Sequence, residues 1–356
     1  GKVRWCAGRF AMTASMLKRV CILPRMSGVG GMVSFRAKFA AGLVSRGIGI
    51  SNNLTDEPYD AVLVIGGTRQ LAGLWRARKR GIPIVQRLDG FNWLHKQLRT
   101  GVRHFLRAEW GNWVLSTIRA RLANEIVYQS EFVRDWWERA YGAARIPHSV
   151  VLNGVDLNQF TSNGPGSPPE DRFRILLVEG TLGGGYEMGL DHAVGLVEKL
   201  SGSVKRPVEL MVVGRVADSL RQRADQSTQI PIIWSGKVPA ERIPEIDRSA
   251  HVLFSADLHP ACPNAVIEAL ACGLPVAAFN TGALPELVTG DAGRLADYGG
   301  DPWKLEPADI PGLARAAQEI LENQARFRNA ARKRAEQAFS LQKMIDGYIA
   351  AIEGAL

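Results

Sequence analysis

Short stretches that are apolar at nearly every position alternate along this chain with longer ones that are apolar only at i, i+3 and i+4. In the first half the short runs are Val20–Leu23, Ala61–Ile65, Ile82–Leu88, Ile126–Gln129 and Val150–Leu152. In the second they are Arg174–Val178, Val208–Val213, Ile230–Trp234, His251–Phe254 and Pro275–Phe279. Segments such as Met32–Ser45, Asn92–Leu122, Leu190–Leu200 and Ala240–Ala250 carry the helical period. Strands that are apolar throughout are covered on both faces, so the pattern predicts an α/β fold with parallel sheets between helix layers. Two such arrays flank Ser162-Asn-Gly-Pro-Gly-Ser-Pro-Pro169, whose three prolines stop any helix or strand. The expectation is two doubly wound, Rossmann-like domains facing across a cleft, with ligands at the C-terminal ends of the strands. The last segment is apolar at 341, 344, 345, 348, 349 and 352 and reads as an amphipathic helix.

Composition narrows the function classes. A chain of 356 residues, 46% hydrophobic and 22% charged, fits about two soluble domains and excludes disulfide-scaffold, collagenous and disordered classes. Cys6, Cys21, Cys262 and Cys272 form no CxxC pair, so reduced thiols are expected in place of bridges or a metal site. No run of about 18 apolar residues predicts a spanning helix. Residues 1–15 are basic without the apolar core of a secretory signal; they read as a leader outside the fold, with Met16 the better start. Charge is divided: residues 1–168 hold 24 Lys and Arg against 10 Asp and Glu, and residues 169–356 hold 20 against 25.

Candidate chemistry lies in the turns after strands. Ser27-Gly-Val-Gly-Gly31 precedes a helix, where backbone amides could meet an anion, although a plain tight turn explains it equally. In Glu179-Gly-Thr-Leu-Gly-Gly-Gly-Tyr186 three successive glycines, Gly183, Gly184 and Gly185, favour close approach of backbone to a ligand. From His259 to Val288, helices opening near Pro263 and at Leu284 would bring two amide ends to one edge, a means of holding a diphosphate without metal. Glu268, among Val266, Ile267, Ala269 and Leu270, is either a cleft ligand or part of an exposed face. No D-x-D triplet occurs, and His259 has no partner at metal-ligand spacing. Trp136, Trp137, Trp110 and Trp113 read as core or interface residues.

The stretch Cys262–Val288 resembles the signature of family-4 glycosyltransferases, retaining enzymes of the GT-B fold that take a sugar from a nucleotide diphosphate. Gly28-Val-Gly-Gly31, Ser130-Glu-Phe-Val133, Asn153-Gly-Val-Asp156-Leu-Asn-Gln-Phe160 and Gly214 follow in the expected order. The resemblance implies an acceptor-side domain at 16–161, a linker at 162–172, a nucleotide-sugar domain at 173–339, and residues 340–356 crossing back onto the first domain. It implies that Glu268 grips the donor ribose, with Gly30, Gly31, Gly183–Gly185, Val238, His259, Cys262, Pro263, Asn264, Ala265 and Gly282 around the donor, and no metal or cofactor. Four positions depart from the family. Pro260 stands where the first glutamate of E-x7-E contacts the sugar. Thr181 and Met188 stand where an arginine and a lysine neutralise the diphosphate, which leaves Arg215 and Lys237 as relocated cations. Arg87-Leu-Asp89-Gly90 replaces a histidine, so Asp89 becomes the group facing the sugar, unless it is a helix cap or turn aspartate.

The expected activity is therefore metal-independent, retaining transfer from a UDP- or GDP-linked sugar to a sugar or lipid-linked acceptor, in the cytoplasm. A nucleotide-sugar epimerase and a catalytically silent nucleotide-sugar-binding protein are the other readings. Arg76, Arg78, Lys79 and Arg80, beside Trp75, with Lys96, Arg99, Arg103 and Arg107 at helical spacing, predict salt-reversible binding to an anionic membrane surface, against the alternative of a solvated face. No nucleic-acid motif accompanies the charge, so no nucleic-acid partner is expected.

Overall fold

The computed structural model describes residues 17–28, 30–98, 101–182 and 187–356. The basic leader, Arg99 and the Gly183–Gly185 turn lie outside the described residues. Strands β1 (Arg19–Leu23), β2 (Gly49–Ser51), β3 (Ala61–Ile65), β4 (Ile84–Leu88), β5 (Glu125–Tyr128) and β6 (His148–Val150) form one parallel sheet in the order β2-β1-β3-β4-β5-β6. Strands β7 (Phe173–Leu182), β8 (Val208–Val216), β9 (Ile232–Gly236), β10 (Val252–Ser255), β11 (Val276–Phe279) and β12 (Gly293–Ala296) form the second, in the order β12-β11-β10-β7-β8-β9. All pairings are parallel, as the fully apolar runs require.

Strand order reverses between β1 and β3 in the first sheet and between β7 and β10 in the second. Loops leaving neighbouring strands there depart to opposite faces and leave a crevice. The helices are α1 (Gly31–Ser45), α2 (Leu71–Lys79), α3 (Val102–Thr117), α4 (Glu131–Tyr141), α5 (Glu187–Ser201) and α6 (Asp218–Ser227). They continue as α7 (Ile243–Arg248), α8 (Asn264–Ala271), the single turn α9 (Leu284–Leu287), α10 (Ile310–Glu322), α11 (Gln324–Ala338) and α12 (Leu341–Gly354). The segment expected to be helical from Asn92 is interrupted: a short 3-10 turn at Leu94–Lys96 precedes α3, where Gly101 at φ 81° starts the helix. Edge strands β2 and β12 were not signalled by the apolar pattern, because they are three and four residues long and part-polar.

Met344, Ile345, Tyr348, Ala351 and Ile352 of α12 are buried in the core of the first domain with Phe35, Phe39 and Leu43 of α1. The Tyr348 ring lies 4.8 Å from Phe35 and 5.5 Å from Phe39. Just before α12 the chain bridges to the Asn153-Gly-Val-Asp156 segment, where Val155 N–H donates to Phe339 O and Leu341 N–H to Val155 O. A β-carbon on Gly154 would lie 2.8 Å from Leu341 Cα and 3.0 Å from Ser340 O, so backbone rather than a yielding side chain excludes it. Gly154→Ala is expected to destabilise by about 1–3 kcal/mol, read as a lower urea midpoint with unchanged m. An unaltered midpoint would mean that α12 does not seat on this glycine.

Candidate active site

The functional edge is built where helix N-termini from both sheets meet. Gly30, at φ 135°, lets the chain turn sharply into α1 and provides no side-chain cap; Pro263 precedes α8 and provides none either. First-turn amides of both helices are thus left to other acceptors. The two ends adjoin: a β-carbon on Gly31 would lie 3.9 Å from Asn264 Nδ2. The α4 N-terminus is already occupied, by Ser130 Oγ and by the Glu286 carboxylate, which accepts from Glu131 N at 2.9 Å and Phe132 N at 2.6 Å. The helix expected at Leu284 is one turn, and the Ala283 amide donates to Pro260 O at 2.9 Å, so it offers no comparable end.

Behind α8 lies a buried polar chain. Asn153 Nδ2 donates to Cys262 O at 2.8 Å, Asn264 Oδ1 at 3.2 Å and Gln129 Oε1 at 3.3 Å. Its Oδ1 accepts from Arg87 Nη2 at 3.2 Å, and its backbone N–H points at Cys262 Sγ at 3.3 Å. Beside it, Glu268 faces Lys38 of α1, with Oε1 3.5 Å from Nζ, and Lys38 also donates to Gly154 O. Burial pushes the Glu268 carboxyl up and Lys38 opposes the shift; Asp247, buried near it, is pushed well up by burial and by the Glu268 charge.

A cavity of about 210 Å³ opens at the β7–β10 crevice. Glu179, Thr181, Met188 and Asp257 line it from the second domain, Trp93 and Leu94 from the first. Burial, then the Asp257 charge, pushes Glu179 up to about 8, and burial raises Asp257 as well. The described lining residues include no cation. Trp93 continues into aromatic packing across the cleft: His259 stacks on Trp303 at 3.5 Å, with Trp93 at 4.9 Å from His259 and Trp136 at 5.1 Å from Trp303. His259 is buried with both ring nitrogens lacking a hydrogen-bond partner, and burial lowers its pKa to about 4.

The structure brings Gly31, Cys262, Pro263, Asn264, Ala265 and Glu268 to one place. Gly282, at φ 59°, packs against Pro260, where a β-carbon would collide with the proline ring. Asp89 is half-buried at the end of β4, its carboxyl raised by burial and lowered by Arg87; its carbonyl, not its carboxylate, accepts from Trp137 Nε1 at 2.8 Å, and it caps no described helix. Arg215 and Lys237 are exposed, Val238 packs on the core, and none of the three lines the cavity. Trp136 and Trp137 are buried, whereas Trp110 and Trp113 stack 5.0 Å apart on the surface, which excludes the core half of the core-or-interface expectation for that pair. Lys38, Glu179, Asp257 and Trp93 were not foreseen. Only the position of Glu179 and Asp257 at strand ends signalled them.

Residues 174–323 match the family model described as Glycosyl transferases group 1. The chain is 26% identical over 215 residues to an MMP alpha-(1->4)-mannosyltransferase of Mycolicibacterium hassiacum, covering 58% of this chain and 48% of that protein. It is 25% identical over 163 residues to a GDP-mannose-dependent alpha-(1-6)-phosphatidylinositol dimannoside mannosyltransferase of Mycobacterium tuberculosis, covering 45% and 40%. The chain thus spans less than half the length of these curated relatives. Among solved structures it resembles Anabaena Alr3699/HepE in complex with UDP-glucose, with TM-score 0.69, 18% identity and coverage of 95% of this chain and 100% of that one. It also resembles WaaG, a glycosyltransferase involved in lipopolysaccharide biosynthesis, with TM-score 0.66, 14% identity and coverage of 94% and 100%. At these identities the likeness establishes the fold.

The Glu179 shift has a measurable consequence. With a folded pKa of about 8 against an ordinary 4.5, the folded state keeps a proton that the unfolded chain releases, so stability falls as pH rises through that window. Glu179→Gln should flatten that decline and be more stable than the wild type at pH 8, read from urea midpoints at pH 5 and pH 8. Parallel pH profiles would place the Glu179 carboxylate in water.

Proposed function

We propose, for a chain whose second domain belongs to the glycosyl transferases group 1 family and whose two sheets build the GT-B fold, that the protein transfers a hexosyl group from a UDP- or GDP-linked sugar to an acceptor hydroxyl with retention and without metal. The observation that carries this reading is the pair of uncapped helix N-termini, from α1 and α8, adjoining across the cleft beside Glu268. Oriented amides of this kind stabilise a dianionic diphosphate in the ground state and more strongly as it departs. The C1–O bond to the β-phosphate breaks, the acceptor oxygen bonds to C1 on the same face, and its proton passes to the departing diphosphate. Asp89, at the end of β4, would face the positive charge developing at C1. The Lys38–Glu268 ion pair occupies the carboxylate that is to grip the ribose, so donor entry exchanges that contact for ribose hydroxyls.

Release of free UDP or GDP from a panel of nucleotide sugars, dependent on added acceptor, tests the transfer. Epimerisation without acceptor, or binding without turnover, would select the other two readings. Glu268→Ala should fold normally and lose roughly ten- to several-hundredfold in UDP or GDP affinity, since hydroxyl bonds to a carboxylate contribute about 1.5–3 kcal/mol each. Unchanged calorimetric affinity would remove Glu268 from the ribose.

We also propose that the acceptor lies at an anionic lipid surface. Helix α3 exposes Val102, Phe105, Leu106, Trp110 and Trp113, with Leu106 63% and Trp110 56% exposed. At about 100° per residue these fall within one arc of about 140°, bordered by Arg103 and Arg107. Large exposed apolar area beside cations suits an interfacial helix, and no described helix is long and apolar enough to cross a membrane. The α2 cations contribute unequally. Arg78 donates to Leu122 O and Ala123 O, and Arg80 pairs with Glu57 at 2.5 Å, so Arg76 and Lys79 are the ones free of such ties. Leu106→Asp combined with Trp110→Ser should cut sedimentation with phosphatidylglycerol-containing vesicles by about tenfold or more, with nucleotide affinity unchanged. Equal partition of wild type and variant would return α3 to an ordinary exposed helix.

A further inference from the structure

We propose that Arg87 is the fixed positive charge of the phosphate cradle, acting on bound diphosphate through Asn153 and the α8 N-terminus from within the first domain. The inference rests on the nucleotide-diphosphate reading above and identifies what neutralises the anion. Thr181 and Met188 stand where cations are expected, and the adjoining cavity presents Glu179 and Asp257 instead. Amides alone would have to hold two negative charges against two carboxyl groups.

Arg87 is 1% exposed, and its Nε and Nη1 have no hydrogen-bond partner. A guanidinium is protonated at any physiological pH, so this is a full charge with most of its donor capacity unspent in a low-dielectric setting. Among the described residues no carboxylate forms an ion pair with it, although Asp89 is near enough to feel its charge; its guanidinium carbon lies 4.1 Å from the Phe35 ring centroid, and the neutral Tyr348 hydroxyl lies beside it. A purely structural arginine at this depth would be paired, because an unpaired buried charge is costly. Its one hydrogen bond, to Asn153 Oδ1, polarises an amide whose N–H groups hold Cys262 O and Asn264 Oδ1, at the uncapped start of α8. The charge and the helix dipole therefore have the same sign at the same end. An anion seated on those amides offsets the cost of the buried cation, and the cation strengthens the seat. Arg87 is thus a positioning residue, since Asn153 and α8 stand between it and the phosphates.

The test separates phosphate recognition from folding and from nucleoside recognition. Calorimetric affinities for UDP and uridine, and for GDP and guanosine, are measured with wild type, Arg87→Met and Arg87→Lys. Arg87→Met should lose tenfold or more in diphosphate affinity with nucleoside affinity unchanged, and Arg87→Lys should recover most of the loss. Asn153→Asp, which sets a negative charge against Arg87 in nearly the same shape, should weaken diphosphate binding likewise; it decides the matter if Arg87→Met does not fold. A diphosphate-to-nucleoside ratio unchanged in Arg87→Met, or in Asn153→Asp where Arg87→Met is unfolded, would overturn the proposal and leave Arg87 a structural pin. A wild type that binds neither UDP nor GDP would overturn the nucleotide-donor reading itself, an outcome distinct from a failure of Arg87 alone.

Discussion

Two parallel sheets joined by a linker that forms no helix or strand share no backbone ladder, so how they meet is set chiefly by side chains, and the Asn153 amide is one of the contacts that join them. It is buried, and every polar group on it is used: the carbonyl toward Arg87 of β4, the amide toward Gln129 after β5, and toward Cys262 and Asn264 at α8. Leaving any of these groups unpaired in the interior would cost about 1–3 kcal/mol, so the network fixes one arrangement of the cleft more firmly than a purely apolar contact could. Gly154 extends the constraint to α12, which covers the first sheet from the far end of the chain.

Buried polar side chains without a hydrogen-bond partner occur in both domains, from Gln86 and His95 to His192 and Asp247, and Arg87 is one of them. Some of the described helix starts are capped by side chains: Asp309 accepts from Gly312 N at α10, and Ser130 with Glu286 serves α4. The α1 and α8 starts are not, and between and behind them lie a half-satisfied arginine and a carboxylate held by a lysine from the opposite domain. What sets this edge apart is that two uncapped starts from different domains adjoin there, with a β-carbon on Gly31 3.9 Å from Asn264 Nδ2.

What was legible in the sequence follows from which interactions are local. The β/α alternation, the central strands of each sheet and the break at 162–169 are properties of consecutive residues, and so was the start of α8 after Pro263. The edge strands were too short to announce themselves, and the uniform helical period through Asn92–Leu122 concealed a break at Gly101. Trp110 and Trp113 read as core or interface residues, because composition cannot tell an apolar face turned inward from one turned outward, and both are exposed. Lys38 meets Glu268 from 230 positions away, and no pattern within a helix could pair them. Asp89 was singled out as the group facing the sugar, and the bond from Trp137 Nε1 to its carbonyl is a long-range contact that no local pattern announced.

The cross-cleft contacts also constrain how the cleft works. Trp93, Phe132 and Trp136 of the first domain pack on His259 and Trp303 of the second, on the side where Glu286 caps α4, while Lys38 meets Glu268 on the other. The domains are therefore held closed by contacts of two kinds. The aromatic packing excludes water without competing for the donor, whereas the ion pair and the uncapped amides are sites where a nucleotide could replace what it displaces. Trp303, which packs against Trp93, Phe132 and Trp136 there, stands on the short turn Pro302–Lys304, outside both sheets.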